Sequence, residues 1–227
     1  MRSVRVAVLG ILILLQISAY AVAQNESCNL DNVVDCSLLS TKKLTKQFPT
    51  IFSVNKDKLL IKAKDKSLDL LLLTETSFED YPDDKLAYPI QYWSDKQWLL
   101  IKEFADGGES QDFAVINLAN SFQKTQINGT PVFSPDGKKM LAYGADIYSR
   151  FSANGIAIYS IQDNQLHEIA KWDKKWGVVE AQWINDHEIL ISTIVLCDNN
   201  QAPKNENGEC TGSKRLLLIN NQWQLIH

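Results

Sequence analysis

The stretch Thr130-Pro-Val-Phe-Ser-Pro-Asp-Gly-Lys-Lys-Met-Leu-Ala-Tyr143 decides the reading of the fold. In Ser134-Pro135-Asp136-Gly137, proline presets φ near −65° and glycine tolerates positive φ, so the chain reverses tightly. An aromatic residue precedes the turn and an apolar strand follows it. Three other stretches share this plan: Phe52-Ser-Val-Asn-Lys-Asp-Lys-Leu-Leu-Ile61, Trp93-Ser-Asp-Lys-Gln-Trp-Leu-Leu-Ile101 and Trp183-Ile-Asn-Asp-His-Glu-Ile-Leu-Ile191. Their aromatic residues are spaced 41, 40 and 50 positions apart. A period near forty residues suits one four-stranded propeller blade. The three copies without glycine place Asn, Asp or Lys in the turn, and Asn and Asp tolerate left-handed geometry. Trp93 and Trp183 hold the repeat's aromatic position and are expected in the core.

A second hairpin follows each motif. Alternating apolar and β-branched residues run from Asp112 to Leu118, from Gly155 to Ile161 and from Lys214 to Ile219, each ending in an Asn, Asp or Ser cluster. Leu68–Leu73 fits the same place in the first unit, although its run of leucines also suits a helix. The expected class is all-β, with four meander units over residues 48–85, 86–128, 129–178 and 179–227. Four units could close as a small β-propeller, stay open, or recruit the N-terminal segment into a fifth blade. A β-sandwich of paired meanders is the alternative. Residues 24–47 precede the repeats as a helix or cap, and residues 48–227 form one domain. The longest expected loops span 78–87, 105–111, 145–154 and 198–209.

The first residues have the three parts of a secretory signal. Arg2 and Arg5 precede an apolar run from Val6 to Leu15, and Ala19, Ala21 and Ala23 offer small residues at the exit. Residues 1–23 are therefore read as a signal peptide, with an uncleaved anchor as the alternative. The apolar run falls short of the roughly 20 residues that a membrane span needs. The expected location is the periplasm or the extracellular space, with no stable membrane insertion after cleavage.

The full sequence has 23 basic and 27 acidic residues. Removing Arg2 and Arg5 leaves the exported part more acidic still. That balance argues against nucleic acid, which wants a basic face, and is compatible with a basic partner.

All four cysteines lie in the exported part, as the local pairs Cys28 with Cys36 and Cys197 with Cys210. An even count in an oxidising compartment reads as disulfides. Local pairing closes two short polar loops. A bridge joining the two ends of the chain would close a far larger one. Zinc suits neither pair, because both lack the Cys-x2-Cys spacing and a nearby His.

Phe133-Ser-Pro-Asp-Gly-Lys138 followed by a strand resembles the WD40-like propeller repeat of the TolB family. The resemblance covers about 150 residues as architecture, with one good copy and three degenerate ones. It implies a scaffold that binds proteins or peptides and carries no catalytic residues. The chain has fewer repeats than the usual six blades and lacks the domain that TolB-like proteins place ahead of the propeller. It looks more like small exported bacterial proteins with these repeats, and the role of TolB itself is not carried over.

Motifs for catalysis are sparse. His167-Glu168 and His187-Glu188 each lack the second His of a metalloprotease helix. Gly107-Gly-Glu-Ser-Gln111 lacks the spacing of a nucleophile elbow. No catalytic residue, cofactor or metal site is assigned. Asn25-Glu-Ser27 and Asn128-Gly-Thr130 match a glycosylation pattern that matters only in a eukaryotic route. The candidate partner-binding residues are Glu79, Asp80, Asp83 and Asp84, whose clustered carboxylates can meet a basic partner or Ca²⁺, and Trp172 and Trp176, which flank charge as binding hot spots do. The plain readings are a solvated loop for the acids and packing for the tryptophans. The expected function is a non-enzymatic, exported binding module for a protein or peptide, including an inhibitor or immunity protein. The alternative is an envelope hydrolase or lyase with a carboxylate site at the propeller mouth.

Overall fold

The structure, a computed structural model, describes residues 33–81, 83–149, 151–172, 175–197 and 208–226. Its two α-helices are α1 (Val33–Gln47) and the single turn α2 (Ser77–Asp80). The rest is mainly β-strand in four antiparallel sheets. Sheet I comprises β1 (Phe52–Asn55), β2 (Lys58–Ala63) and β3 (Lys66–Leu71). Sheet II comprises β4 (Leu86–Trp93), β5 (Trp98–Ala105), β6 (Ser110–Asn117) and β7 (Gln123–Ile127). Sheet III comprises β8 (Thr130–Phe133), β9 (Lys139–Ala145), β10 (Asn154–Gln162) and β11 (Gln165–Trp172). Sheet IV comprises β12 (Gly177–Asn185), β13 (Glu188–Leu196), β14 (Glu209–Ile219) and β15 (Gln222–Ile226). Each sheet is a meander in which sequence neighbours pair. The last three expected units coincide with sheets II, III and IV. Leu68–Leu71 lies in β3, so the helical reading of that leucine run is corrected.

Period-two alternation explains how the sheets stack. Successive side chains of a strand point to opposite faces. In β5, Leu99 and Ile101 pack with Phe52, Leu59 and Ile61 of sheet I, while Trp98 and Leu100 pack with Met140 and Ala142 of sheet III. In β9 and β10, Leu141, Ile156 and Ile158 turn the other way, against Ile189, Ile191 and Leu216 of sheet IV. Each central sheet is thus buried on both faces, and its strands read as continuous apolar runs. Trp183 is buried as expected, and its Nε1–H donates to the carbonyl of Val132 at 3.1 Å. Trp93 packs against the core between sheets II and III without being fully buried. It is half-buried, edge-on to the Phe133 ring at 5.0 Å, and the fully buried indole is Trp98, five positions on.

The turns are tight because their residues accept positive φ. Asp163 and Asn164 (φ 50° and 57°) and Asn220 and Asn221 (φ 51° and 61°) make paired left-handed positions of the type that hairpins favour. Gly137 has φ 67°. In the copies without glycine the left-handed residues are Lys56 and Gln97. The neighbouring Asn and Asp do not take that role.

Sheet I departs from the repeat. Lys66 Nζ donates to Ser121 Oγ at 3.0 Å, so the β2–β3 turn lies at the end of the stack that holds the β6–β7 turn. Leu72 N–H donates to the Asp57 carbonyl, and Leu73 N–H to the carbonyl of Ala87, so the β1–β2 turn lies at the end where β4 begins. The three strands of sheet I therefore match the second, third and fourth strands of the other sheets. The Phe52 hairpin points opposite to the Trp93, Phe133 and Trp183 hairpins, which corrects its alignment with them. Instead of a first strand, α1 packs against β1 and β4. The Ser40 hydroxyl donates to the Pro89 carbonyl, and Leu44 is buried between sheets I and II.

Cys197 and Cys210 are bonded, with Cα atoms 5.4 Å apart, as local pairing requires. Cys36 is buried on α1; its expected partner Cys28 lies outside the described residues, as do the signal segment 1–23 and His227. Among the described residues no helix is long and apolar enough to cross a membrane.

Candidate functional site

A meander sends its connections alternately to its two ends. In sheets II to IV, the turns after the first and third strands gather at one end, at residues 94–97, 118–122, 134–138, 163–164, 186–187 and 220–221. These turns are short and tied to one another. Asn117 Nδ2 donates to the Asn164 carbonyl at 2.6 Å, and Asn164 Nδ2 to the Lys96 carbonyl at 2.9 Å. Asp136 N–H donates to Asp186 Oδ1 at 3.1 Å.

The opposite end carries the two longest connections between described strands, 72–85 and 146–153, together with the shorter 106–109 and 128–129. These also touch in order. Tyr81 donates to the Asp57 carboxylate, which holds that carboxyl below its usual range and pushes the Tyr81 hydroxyl up. The Phe78 ring lies against Gly108. Gln111 bridges to Ser152. Tyr148 Oη donates to Glu209 Oε1 at 2.5 Å, which raises the tyrosine's pKa. Three of the long loops expected from sequence, 78–87, 105–111 and 145–154, thus fall at one end of the stack; the fourth, 198–209, lies largely outside the described residues.

The 146–153 loop is held by one carboxylate. Asp146 accepts from Ser149 N–H at 3.0 Å, from the Ser149 hydroxyl at 2.7 Å and from Ser152 N–H at 2.8 Å. Ile147 anchors it inward, while Tyr148 and Phe151 stand 60% and 58% exposed. Phe151 edges a cleft of about 750 Å³ between sheets II and III, lined also by Asp112, Ile127, Tyr159, Glu168 and Lys171. Burial, supported by the charge of Glu168 and opposed by an Asn128 N–H bond, pushes the Tyr159 hydroxyl up to about 12. The cleft lining pairs Asp112 and Glu168 with Lys171 and Lys175.

The residues picked out from sequence sit at this end on two separate connections. Glu79, Asp80, Asp83 and Asp84 are all exposed, and Asp80 accepts from Thr76 Oγ1 at 2.6 Å. With Glu75, with Asp106 and Glu109 on the neighbouring connection, and with Asp112 early in β6, they form an acidic rim. Trp172 and Trp176 are half-buried against the core between sheets III and IV. Sequence reasoning passed over Tyr148 and Phe151, although two aromatic residues in a polar loop were the available signal. Among the described residues, no group of three or more His, Cys, Asp or Glu is placed to hold a metal ion. His167 and His187 are exposed on β11 and in a turn, and Ser110 opens β6 after a 3-10 turn.

No family model and no curated protein matches the chain. Among solved structures, one chain of the S. cerevisiae complex of Dbp5 with Nup159, Gle1, IP6 and ADP is similar at 8% identity and a TM-score of 0.37. The similarity covers 78% of this chain and 46% of that one, so this chain spans less than half of its length. A likeness at that level carries no argument.

Proposed function

We propose that the chain is an exported, non-enzymatic binding module of propeller-like blades, and that its loop-bearing end holds a basic protein or peptide. The observation that carries this reading is the pair Tyr148 and Phe151, exposed on a loop that Asp146 holds fixed. Exposed aromatic side chains on rigid backbone are what binding hot spots use. The acidic rim supports a basic partner, since complementary charge speeds encounter and rejects wrong partners. The Phe133–Lys138 turn and the four successive meanders support the WD40-like reading, and the Cys197–Cys210 bond supports an oxidising compartment. The test is affinity capture from the native envelope and secretome with the exported chain as bait. The reading expects a basic protein that elutes as salt rises. Recovery of no partner, together with turnover of any screened substrate, would contradict it.

A further inference from the structure

A β-bulge in sheet III puts two charges on one face. Tyr159 pairs with Glu168 and Ile158 with Ala170, so Ile169 is an extra residue in β11. Successive side chains of a regular strand point to opposite faces, and Glu168 and Lys171, three positions apart, would then diverge. With the bulge, both share the face of their register partners Tyr159 and Ala157, which pack towards sheet II. Bulges re-aim side chains in this way beside functional sites. Glu168, Lys171, Lys175 and Tyr159 all line the cleft of about 750 Å³ between sheets II and III. The three charged groups make no hydrogen bond or ion pair among the described residues. Tyr159 is 4% exposed, and its hydroxyl oxygen accepts from Asn128 N–H at 3.2 Å. The hydroxyl proton has no acceptor among the described residues, although buried donors normally have one.

We propose that this cleft is a binding site for a zwitterionic ligand of dipeptide size. Lys171 and Lys175 hold its carboxylate, Glu168 accepts from its ammonium, and Tyr159 donates to one of its carbonyl or carboxylate oxygens. Three features select that chemistry. First, charges of both signs stand in one cleft without pairing with each other. A ligand of one sign is opposed by part of the lining, and a ligand with both signs engages all of it. Second, the spacing sets the length. Tyr159 and Ala157, the register partners of Glu168 and Lys171, are two positions apart in β10, or about 7 Å. Two extended residues span about the same distance, and the charges of a single α-amino acid lie closer together. Third, the volume falls in the range of small-molecule sites. Phe151, 58% exposed at the cleft edge, offers an apolar lip to a ligand side chain. This site goes beyond the protein-binding reading of the loop end and needs neither Tyr148 nor the acidic rim.

Isothermal titration of the exported chain with alanyl-alanine and phenylalanyl-alanine tests the proposal. The controls are the same dipeptides acetylated at the amine and amidated at the carboxylate. At least one free dipeptide is expected to bind with a Kd at or below about 1 mM. Capping both termini is expected to weaken binding at least about tenfold, as are Glu168→Gln and Lys171→Gln, because each removes a charge-assisted hydrogen bond. Tyr159→Phe is expected to weaken it severalfold. Lys138→Gln, at the tight-turn end, is expected to change nothing. Glu168 and Lys171 are exposed, and matching circular dichroism spectra show that each variant is folded. Absence of binding by both free dipeptides, equal binding of the capped forms, or affinity indifferent to Glu168→Gln and Lys171→Gln would overturn the proposal.

Discussion

Lys66 Nζ donates to Ser121 Oγ at 3.0 Å, across the ends of sheets I and II. This contact fixes the polarity of the first sheet, whose three strands among the described residues match the last three of the other sheets. It also sorts the connections of the molecule. Tight, mutually bonded turns lie on the Lys66 side, and the long connections with exposed aromatics lie on the other.

The Cys197–Cys210 bond joins the end of β13 to the start of β14, its cysteines 13 positions apart in sequence. In the chain-entropy model, loops of that size lose about 3 kcal/mol of denatured-state freedom. The double variant Cys197→Ser with Cys210→Ser is expected to lose about that much stability. Urea unfolding without reductant, read by tryptophan fluorescence, measures it.

Trp98 is 1% exposed and stacks on Phe133 with ring centroids 6.4 Å apart. Its Nε1–H has no hydrogen-bond partner among the described residues. Trp98→Ala is expected to cost about 4 kcal/mol, because large-to-small changes lose burial and leave a cavity. Trp98→Phe is expected to cost much less, since the N–H it removes is bonded to nothing. Trp93→Ala, at the half-buried site, is expected to fall below Trp98→Ala. Chemical denaturation of the three variants checks the order.

Two glycines separate backbone conformation from packing. Gly137 has φ 67° in open space, so Gly137→Ala is expected to cost about 1 kcal/mol for the left-handed backbone alone. Gly129 has φ 102°, and a Cβ there would lie 2.1 Å from the Tyr143 carbonyl oxygen. Gly129→Ala is expected to cost more than about 3 kcal/mol, because the obstacle is backbone. Thermal unfolding of the pair compares the two.

Tyr159 gives a pH signature. Its folded pKa is raised to about 12 from the ordinary 10.0, chiefly by burial. The unfolded chain then releases this proton before the folded one does. The contribution is intact below pH 10.0 and is lost as pH rises towards 12. Tyr159→Phe is expected to flatten the fall of stability between these values. At neutral pH it costs about 1 kcal/mol, because Asn128 N–H loses its acceptor. Denaturant melts at several alkaline pH values measure both effects.

Much of this fold was legible in the sequence. Alternating strands and Asn, Asp and Gly turns marked sheets II, III and IV within a few residues of their bounds. The Phe52 hairpin misled because an aromatic, a polar turn and a strand look alike whether they join the first two strands of a meander or the second and third. Only contacts such as Lys66 with Ser121 tell these apart. Trp93 and Trp98 flank one turn, and local pattern does not say which indole faces the neighbouring sheet. The candidate site was partly legible. The two longest described connections, 72–85 and 146–153, are separated by an even number of strands, which in a meander puts them at the same end. Tyr148 and Phe151 were not singled out, because exposure depends on how Asp146 folds their loop.

The central claim is that the loop-bearing end is the binding face. Quantitative capture from the native envelope with three baits tests it most directly: wild type, Tyr148→Ala with Phe151→Ala, and Lys138→Ala at the tight-turn end. The account predicts one basic partner recovered equally by wild type and Lys138→Ala, and reduced at least about tenfold by the aromatic double variant. A partner retained by the double variant, or lost with Lys138→Ala, would contradict it.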